Sequence, residues 1–383
     1  MSVRHYAAVR GKLPLREKFG EFNWPFVLVI GVIACIGFAM LYSVAGGHFS
    51  PWASKQMLRF CIGMMILCAV AVVDLRVWMT LAYPFYALCL LLLIAVQVAG
   101  HTGLGAQRWI DLGPIQIQPS ELMKIALILA LARYLHGLDV EDVSKPLRLI
   151  IPLAMIGVPT SLVLMQPNLG TATILVMDGA SLLFLAGLSW WWIVPTISAV
   201  AAAVPVAWQF LHDYQKRRVL TFLNPQKDAL GAGWNISQAE IAIGSGGVTG
   251  KGFLHGTQSQ LNFLPEKETD FIFTSVGEEF GLLGCIALLL LFAVVIGYGI
   301  RIAMSSRSHF GRLVALGLSL NVFFYIMING AMVMGLIPVV GIPMPLLSYG
   351  GTALLTVMFG FGLIMSVYVH RQVEIPRHSG ILL

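Results

Sequence analysis

The sequence predicts an all-α polytopic membrane protein with ten transmembrane helices and a large extracytoplasmic loop between helices 7 and 8. Two observations lead to this fold class. Of the 383 residues, 58% are hydrophobic and only 11% are charged, with a mean hydropathy of +0.83, whereas about 25% of the residues in soluble globular domains are charged. The apolar residues also fall into runs of roughly 20, the length of helix that crosses the hydrocarbon core of a bilayer.

The predicted spans follow these runs in chain order. The first run begins near Trp24, and because it is long enough to span and lacks a small-residue cleavage site, we expect it to be retained. The fourth run is the least apolar of the set. The spans are centred near Ile33, Ile66, Leu90, Leu127, Met155, Ser181, Ala199, Leu290, Phe323 and Phe361.

Basic residues predict the orientation of the spans. Lys and Arg concentrate on the cytoplasmic side of membrane proteins, and with ten spans most of the basic residues here fall on one side. They are Arg4, Arg10, Lys12, Arg16, Lys18, Arg76, Lys145, Arg148, Arg301, Arg307, Arg312, Arg371 and Arg377. We therefore expect residues 1–22 and 371–383 to be cytoplasmic tails, and the long connection over residues 211–270 to face outward.

Composition and motifs argue against several function classes. The formal net charge is +6, but the basic residues form no continuous stripe, so nucleic acid is not an expected partner. The cysteines have no CxxC spacing and no HExxH motif occurs, so the sequence predicts no disulfide and no protein-borne metal site. The GVTGKG segment lacks the Ser or Thr that follows the Lys of a Walker A loop, which argues against nucleotide hydrolysis.

Residues 234–281 form a polar, glycine-rich segment between apolar runs. Its glycines allow the backbone to approach a ligand closely, and Lys251 among them is a candidate partner for a phosphate. Asp270 directly precedes the apolar run that starts at Phe271, so we expect its carboxylate to be partly desolvated where the loop meets the membrane. The alternative interpretation of Asp270 is a helix N-cap, and the charges at 266–268 are expected to form a solvated rim.

Other charged residues interrupt the outward connections and the spans. Lys55 and Arg108 lie in outward loops, whereas Glu121 and Lys124 open the fourth span. The i,i+3 spacing places Glu121 and Lys124 on one helix face, where an ion pair lowers the cost of charge near lipid, so we interpret the pair as architectural. Asp178 stands alone in a later span, where a carboxylate is either functional or satisfied by a cap or by water.

Motifs spread along the chain carry a resemblance to a known family. They are QRW (107–109), QPSELMK (118–124), MQPNLGTA (165–172), NP..D.LGAGW (224–234), IAIGSGGVTGKG, HGTQSQL.FLPE..TDFIF, EEFG (278–281) and PVVGIPMPLLSYGG. Together they resemble the SEDS family of cell-wall polymerases, from about the second span to Arg371. The last turn and the FGLIMSVYVHR ending are similar to the elongation branch of that family.

The resemblance implies a single ten-helix domain, residues 1–383, in the bacterial cytoplasmic (inner) membrane. It also implies polymerisation of lipid II into glycan strands during cell elongation and cell-shape maintenance. The implied partners are a class B penicillin-binding protein, which cross-links the product, and other membrane proteins of the elongation complex.

The family's site residues carry over one position at a time. Asp270 matches its essential loop aspartate, and Arg108 matches a polar contact in its cavity. Glu121 and Lys124 match its internal salt bridge. Asn168 departs from the family, which commonly has Asp there, so no metal-binding or acid role is assigned to this position.

The chemistry of the residues agrees with the resemblance. Extending a glycan on a lipid diphosphate requires a sugar hydroxyl to attack an anomeric carbon while the diphosphate leaves. This reaction needs one general base and cations, but not the second carboxylic acid with which glycosidases protonate their leaving group. We assign Asp270 as the base and Arg108, Lys251 and Lys55 as diphosphate partners. A divalent cation, Mg²⁺ or Mn²⁺, bound through the diphosphate would assist them, and no organic cofactor is expected.

Two other function classes stay open. A lipid II flippase, which is a transporter, would also need a polar cavity among the spans, with charged or broken helices near the midplane such as the one carrying Asp178. A non-catalytic scaffold that activates a penicillin-binding protein would need only the loop surface. The scaffold alternative gives no reason for a carboxylate beside a glycine-rich segment.

Overall fold

The computed structural model describes residues 14–99, 101–103, 106–111, 116–192, 232–261, 263, 264 and 266–376, together with isolated positions between 194 and 222. Helices dominate this part of the chain. They are α1 (Leu15–Gly20), α2 (Trp24–Val44), α3 (Ala53–Val72), α4 (Leu75–Ala99), α5 (Pro119–His136), α6 (Val140–Val143), α7 (Pro146–Met165), α8 (Leu169–Leu185), α9 (Ala232–Gly246), α10 (Thr257–Gln260), α11 (Ile272–Ser305), α12 (His309–Val333) and α13 (Gly351–Val369).

Seven of the described helices are long and apolar enough to cross a membrane, namely α2, α3, α4, α7, α11, α12 and α13. The prediction of a mostly helical membrane protein with several spans is therefore confirmed. Every predicted span centre except Ala199 lies inside a helix. Ala199 lies outside the described residues. So do most of residues 211–231 in the predicted loop, and residues 1–13 and 377–383 in the predicted tails.

The interior of the bundle contains α5, α12 and α13. Helix α5, the least apolar predicted span, is buried along most of its length and packs against α4, α8 and α12. Because protein rather than lipid surrounds α5, its faces can carry polar residues that meet partners on neighbouring helices. In α12 and α13, 78% of the spanning window is buried, compared with 22–28% in α3, α4 and α11, which form the outer layer.

A small antiparallel sheet between α4 and α5 corrects the all-α prediction. Its strands are β1 (His101–Gly103), β2 (Ala106–Asp111) and β3 (Gln116–Ile117), paired in the order β1–β2–β3. Ile110 lies opposite Ile117 in this sheet. Strands this short show no clear period-two pattern, which is why the sequence predicts only a loop here. The sheet is joined to the bundle because the Thr352 hydroxyl of α13 donates to the Gln116 carbonyl at 2.8 Å.

Helix α11 is broken by a kink at Gly281, where φ is 63° and ψ is −161°. Residues 272–280, before the kink, are almost entirely buried, and the glycine-rich segment 246–252 packs against them. Lys251 N, for example, donates to the Glu278 carbonyl at 3.0 Å. A Cβ at position 281 would lie 2.5 Å from a backbone nitrogen of the glycine-rich segment, so the kink requires glycine.

Candidate active site

A cavity of about 300 Å³ lies among α5, α8, α12 and two turns, residues 266–271 and 337–351. The charged residues in its lining are Arg108, Glu121, Lys124, Glu266 and Asp270. The structure therefore brings together four residues that the sequence assigns to the site. Lys251 and Lys55, the other two, do not line this cavity.

Asp270 is half-buried at the end of the 266–271 turn. Helix α11 begins at Ile272 with Phe271 in the N-cap position, so the interpretation of Asp270 as the N-cap is wrong. The Asp270 Oδ2 atom lies 3.2 Å from the position that a Cβ on Gly341 would occupy, and Gly341 has a φ of +69°. The opposite wall of the cavity can approach the carboxylate this closely because residue 341 has no side chain.

The charges just before Asp270 do not all form the solvated rim that the sequence predicts. Glu266 is exposed, and its carboxylate accepts from the Thr269 hydroxyl at 3.0 Å. Lys267, in contrast, is only 7% exposed and donates to a backbone carbonyl at Ser259, and burial lowers the pKa of its ammonium. Burial also raises the pKa of the half-buried Glu268 carboxyl. Lys267 and Glu268 are therefore part of the packed turn.

Glu121 and Lys124 form an ion pair with 2.7 Å between Glu121 Oε1 and Lys124 Nζ, and their side chains are 5% and 2% exposed. Tyr325 of α12 joins the pair. Its hydroxyl donates to Glu121 Oε2 at 2.5 Å and accepts from Lys124 Nζ. Buried charges are tolerated when they are both paired and hydrogen-bonded, and this network meets both conditions.

Arg108 reaches the cavity from β2. Its Nε donates to the Gln166 carbonyl at 3.1 Å and its Nη2 donates to the Pro167 carbonyl, which fastens the sheet to the start of α8. Asn168 is the N-cap of α8, because its Oδ1 accepts from Thr171 N at 3.4 Å. Since Asn and Asp cap helices about equally well, the departure from the family's usual Asp preserves this cap.

Lys251 lies away from the cavity, on the glycine-rich segment. Its Nζ lies 2.7 Å from Glu278 Oε1 and 2.9 Å from the Thr257 hydroxyl, and the Glu278 side chain is fully buried. The glycines around Lys251 allow close packing against α11 and do not form a cradle that opens into the cavity. Lys55 is exposed near the start of α3. The geometry therefore favours Arg108 among the three predicted diphosphate partners.

Lys251→Met should lower stability and leave the KM for the predicted lipid II substrate unchanged. The substitution leaves the Glu278 carboxylate buried without its cation, which we expect to cost about 1–3 kcal/mol. Thermal unfolding and steady-state kinetics of the purified protein measure the two effects. Lys251→Met combined with Glu278→Gln should recover most of the lost stability. A raised KM with unchanged unfolding would instead support the sequence-based role of Lys251 in substrate binding.

Polar residues that the sequence analysis passed over also support the site. Tyr325 contacts the buried ion pair, and Asn329 Nδ2 donates to the Asp270 carbonyl at 2.8 Å. Both belong to a stripe on α12 with Asn321, whose Nδ2 donates to Asp178 Oδ2 at 2.7 Å. Residues four apart share a helix face, and polar side chains inside a spanning helix are costly. This spacing is the sequence signal that could have identified them.

The arrangement suits general-base chemistry on an anionic substrate. Asp270 places a carboxylate in the cavity whose lining also contains the guanidinium of Arg108. Within the described part of the chain, no group of three or more His, Cys, Asp or Glu side chains is placed to hold a metal ion.

Comparisons with known proteins agree on one family. The FtsW/RodA/SpoVE family model, described as cell cycle protein, matches residues 22–373. The peptidoglycan glycosyltransferase MrdB of Escherichia coli K12 is 44% identical over 351 residues, which cover 91% of this chain and 94% of the relative. The protein of the same name from Helicobacter pylori 26695 is 36% identical over 356 residues, covering 91% and 90% of the two chains.

Solved structures share the same fold. One, from a peptidoglycan synthase complex that coordinates polymerization and crosslinking, has a TM-score of 0.80 and 31% identity, and the match covers 91% of this chain and 98% of the other. The rod shape determining protein RodA of Thermus thermophilus has a TM-score of 0.69 and 26% identity, with coverage of 91% and 97%.

Proposed function

This chain belongs to the SEDS family, which contains FtsW, RodA and SpoVE, and on that premise we propose that it is a peptidoglycan glycosyltransferase. It polymerises lipid II into glycan strands during cell elongation and cell-shape maintenance. The observation that carries the proposal is the cavity that combines Asp270 with Arg108, in a chain 44% identical to a peptidoglycan glycosyltransferase.

In the proposed reaction, Asp270 accepts the proton of the attacking sugar hydroxyl. The hydroxyl oxygen forms a bond to the anomeric carbon of the lipid-linked sugar, while the bond from that carbon to the diphosphate oxygen breaks. The electron pair of the broken bond leaves on the diphosphate, whose charge Arg108 stabilises. A divalent cation, Mg²⁺ or Mn²⁺, is proposed to arrive with the diphosphate of the substrate.

We also propose the membrane arrangement that the charge pattern predicts. Ten helices span the bacterial cytoplasmic membrane, and both termini are cytoplasmic. The 211–270 connection, between the seventh and eighth predicted spans, faces outward. The seven helices that are long and apolar enough to span support the multi-pass character. The cluster of cations at one set of connections supports the orientation.

The flippase alternative is less well supported by the interior of the bundle. Asp178, the carboxylate that suggested it, is fully buried, hydrogen-bonded to Asn321 and absent from the lining of the large cavity. Glu121 and Lys124 neutralise each other at 2.7 Å. The substrate site of a transporter lies in a cavity near the bilayer midplane, whereas Asp178 does not line the large cavity and the charges of Glu121 and Lys124 are paired with each other.

Purified protein incubated with labelled lipid II tests the proposed function. We expect polymer, and more of it when a class B penicillin-binding protein is added as the proposed partner. Transfer of lipid II across vesicles without any polymer would point to the flippase. The scaffold alternative is supported if polymer forms only with the added partner and Asp270→Asn leaves that reaction unchanged.

The partner is expected to stimulate polymerisation without contributing a catalytic group. A penicillin-binding protein that packs against the spans and the outward loop would act by shifting the population of loop conformations. Stimulation should therefore survive when the transpeptidase serine of the partner is replaced by alanine. Loss of stimulation with that variant, at unchanged binding between the two proteins, would show that coupling runs through the partner's own chemistry.

A further inference from the structure

Three consecutive backbone carbonyls of the 266–271 turn, called the catalytic turn below because it carries Asp270, are each held by a donor from outside the turn. The Glu268 carbonyl accepts from Tyr349 N at 2.7 Å. The Thr269 carbonyl accepts from the Ser348 hydroxyl at 2.5 Å, and the Asp270 carbonyl accepts from Asn329 Nδ2 at 2.8 Å. These bonds fix the backbone at residues 268–270, just before Phe271, which is the N-cap residue of α11.

The two side-chain donors are themselves fixed by a second set of bonds. Asn329 Nδ2 also donates to the Ile342 carbonyl at 2.6 Å, and the Ser348 hydroxyl accepts from Met344 N at 2.7 Å. Asn329 and Ser348 are buried, with 0% and 4% exposure. Each side chain therefore joins the 266–271 turn to the 337–351 turn, and these turns form two facing walls of the cavity.

We propose that Asn329 and Ser348 are positioning residues that set the direction of the Asp270 carboxylate; this inference rests on the proposed function. A buried polar side chain in a membrane bundle is expensive unless its bonds are used. Here the Asn329 amide nitrogen donates to two backbone carbonyls, one in each wall, and the Ser348 hydroxyl bonds to a backbone carbonyl of one wall and a backbone nitrogen of the other. Without them the turn could still form, but the base would be less well aligned with the attacking hydroxyl.

Ser348→Ala tests the inference, because it removes the donor to the Thr269 carbonyl while the Asp270 side chain is kept. We expect kcat for lipid II polymerisation to fall by roughly 10- to 100-fold, since a displacement of about 1 Å at a reacting group costs about 100-fold. KM should change little, because Ser348 does not line the cavity that contains the diphosphate partner Arg108. Ser348→Thr retains the hydroxyl and should recover much of the lost kcat.

Ser366→Ala is the matched control. Ser366 is a buried serine of α13 whose hydroxyl donates to the Val73 carbonyl at 2.8 Å, so its removal breaks the same kind of bond far along the chain from the turn. Thermal unfolding should show comparable losses for Ser366→Ala and Ser348→Ala, whereas only Ser348→Ala should lose kcat. Asn329→Ala provides a second variant, with the same expected fall in kcat, should Ser348→Ala fail to fold.

The possible results separate this inference from the proposed function. If the wild-type chain makes no polymer from lipid II, with or without the partner, the proposed function fails. If the wild type is active and a folded Ser348→Ala or Asn329→Ala variant keeps wild-type kcat, the positioning inference is overturned. It is also overturned if Ser366→Ala loses as much kcat as Ser348→Ala, because the effect would then be one of general stability.

Discussion

Asp270→Asn should abolish glycan polymerisation while the protein inserts, folds and unfolds thermally as the wild type does. Asparagine keeps the size and polarity of the side chain but cannot accept the proton of the attacking hydroxyl. General-base catalysis contributes roughly 10²- to 10⁴-fold to rate, so the residual rate should fall towards the detection limit. The fold should tolerate the change because Phe271, not Asp270, occupies the N-cap position of α11. Labelled lipid II and a thermal unfolding scan measure the two properties.

Asp270→Ala should be equally inactive, and Glu266→Gln is the most informative comparison. Besides Asp270, Glu266 is the carboxylate in the cavity lining that does not belong to the Glu121–Lys124 pair, but it is exposed. If Asp270 is the base, Glu266→Gln retains most of the activity. An active Asp270→Asn enzyme together with an inactive Glu266→Gln enzyme would move the base to Glu266 and refute our assignment.

Lys124→Ala and Glu121→Ala should each lower stability and yield as well as activity. Either change leaves one charge buried beside Tyr325 without its counter-ion, and breaking a buried ion pair costs roughly 3–5 kcal/mol. Exchange of the two charges, Glu121→Lys with Lys124→Glu, should partly restore both properties. The Tyr325 hydroxyl can then donate to the carboxylate and accept from the ammonium in the reversed order. Thermal unfolding in detergent and the polymerisation assay measure the effects.

The pair Asp142–Lys145 is the control for these variants. It has the same i,i+3 spacing and 2.5 Å between its charged atoms, but the side chains are 28% and 64% exposed. Lys145→Ala should therefore leave thermal unfolding almost unchanged, because exposed ion pairs contribute little to stability. If Glu121→Ala and Lys124→Ala melt like the wild type but are inactive, the buried pair takes part in the chemistry and is not architectural.

The sequence was informative where the signal is local. Apolar runs of spanning length predict the helices, because a membrane span needs about 20 apolar residues whatever its neighbours are. The i,i+3 spacing likewise predicts the Glu121–Lys124 pair, because both residues lie on one turn of helix. Asp270 could be placed where the loop meets the membrane because it directly precedes an apolar run.

Features that depend on distant partners could not be predicted in this way. Tyr325 and Asn329 lie within an apolar run, and their partners on α5 and in the catalytic turn are far away in the sequence. The glycines near Lys251 have the composition of a phosphate loop. Only the fold shows that they allow the backbone to pack against α11, where Glu278 takes the Lys251 ammonium. Residue type alone does not distinguish close approach to a ligand from close approach to another segment.

The buried start of α11 also bears on how the chain is synthesised and inserted. Glu278 and Glu279 are both fully buried next to the kink at Gly281. Lys251 and Thr257 contact Glu278, and Ser43 contacts Glu279, so each of these partners precedes the carboxylate in the chain. Because chains emerge from the ribosome amino end first, the partners have already been made when residues 278 and 279 appear. The two carboxylates can therefore be paired as they enter the bundle, without first being exposed unpaired to lipid.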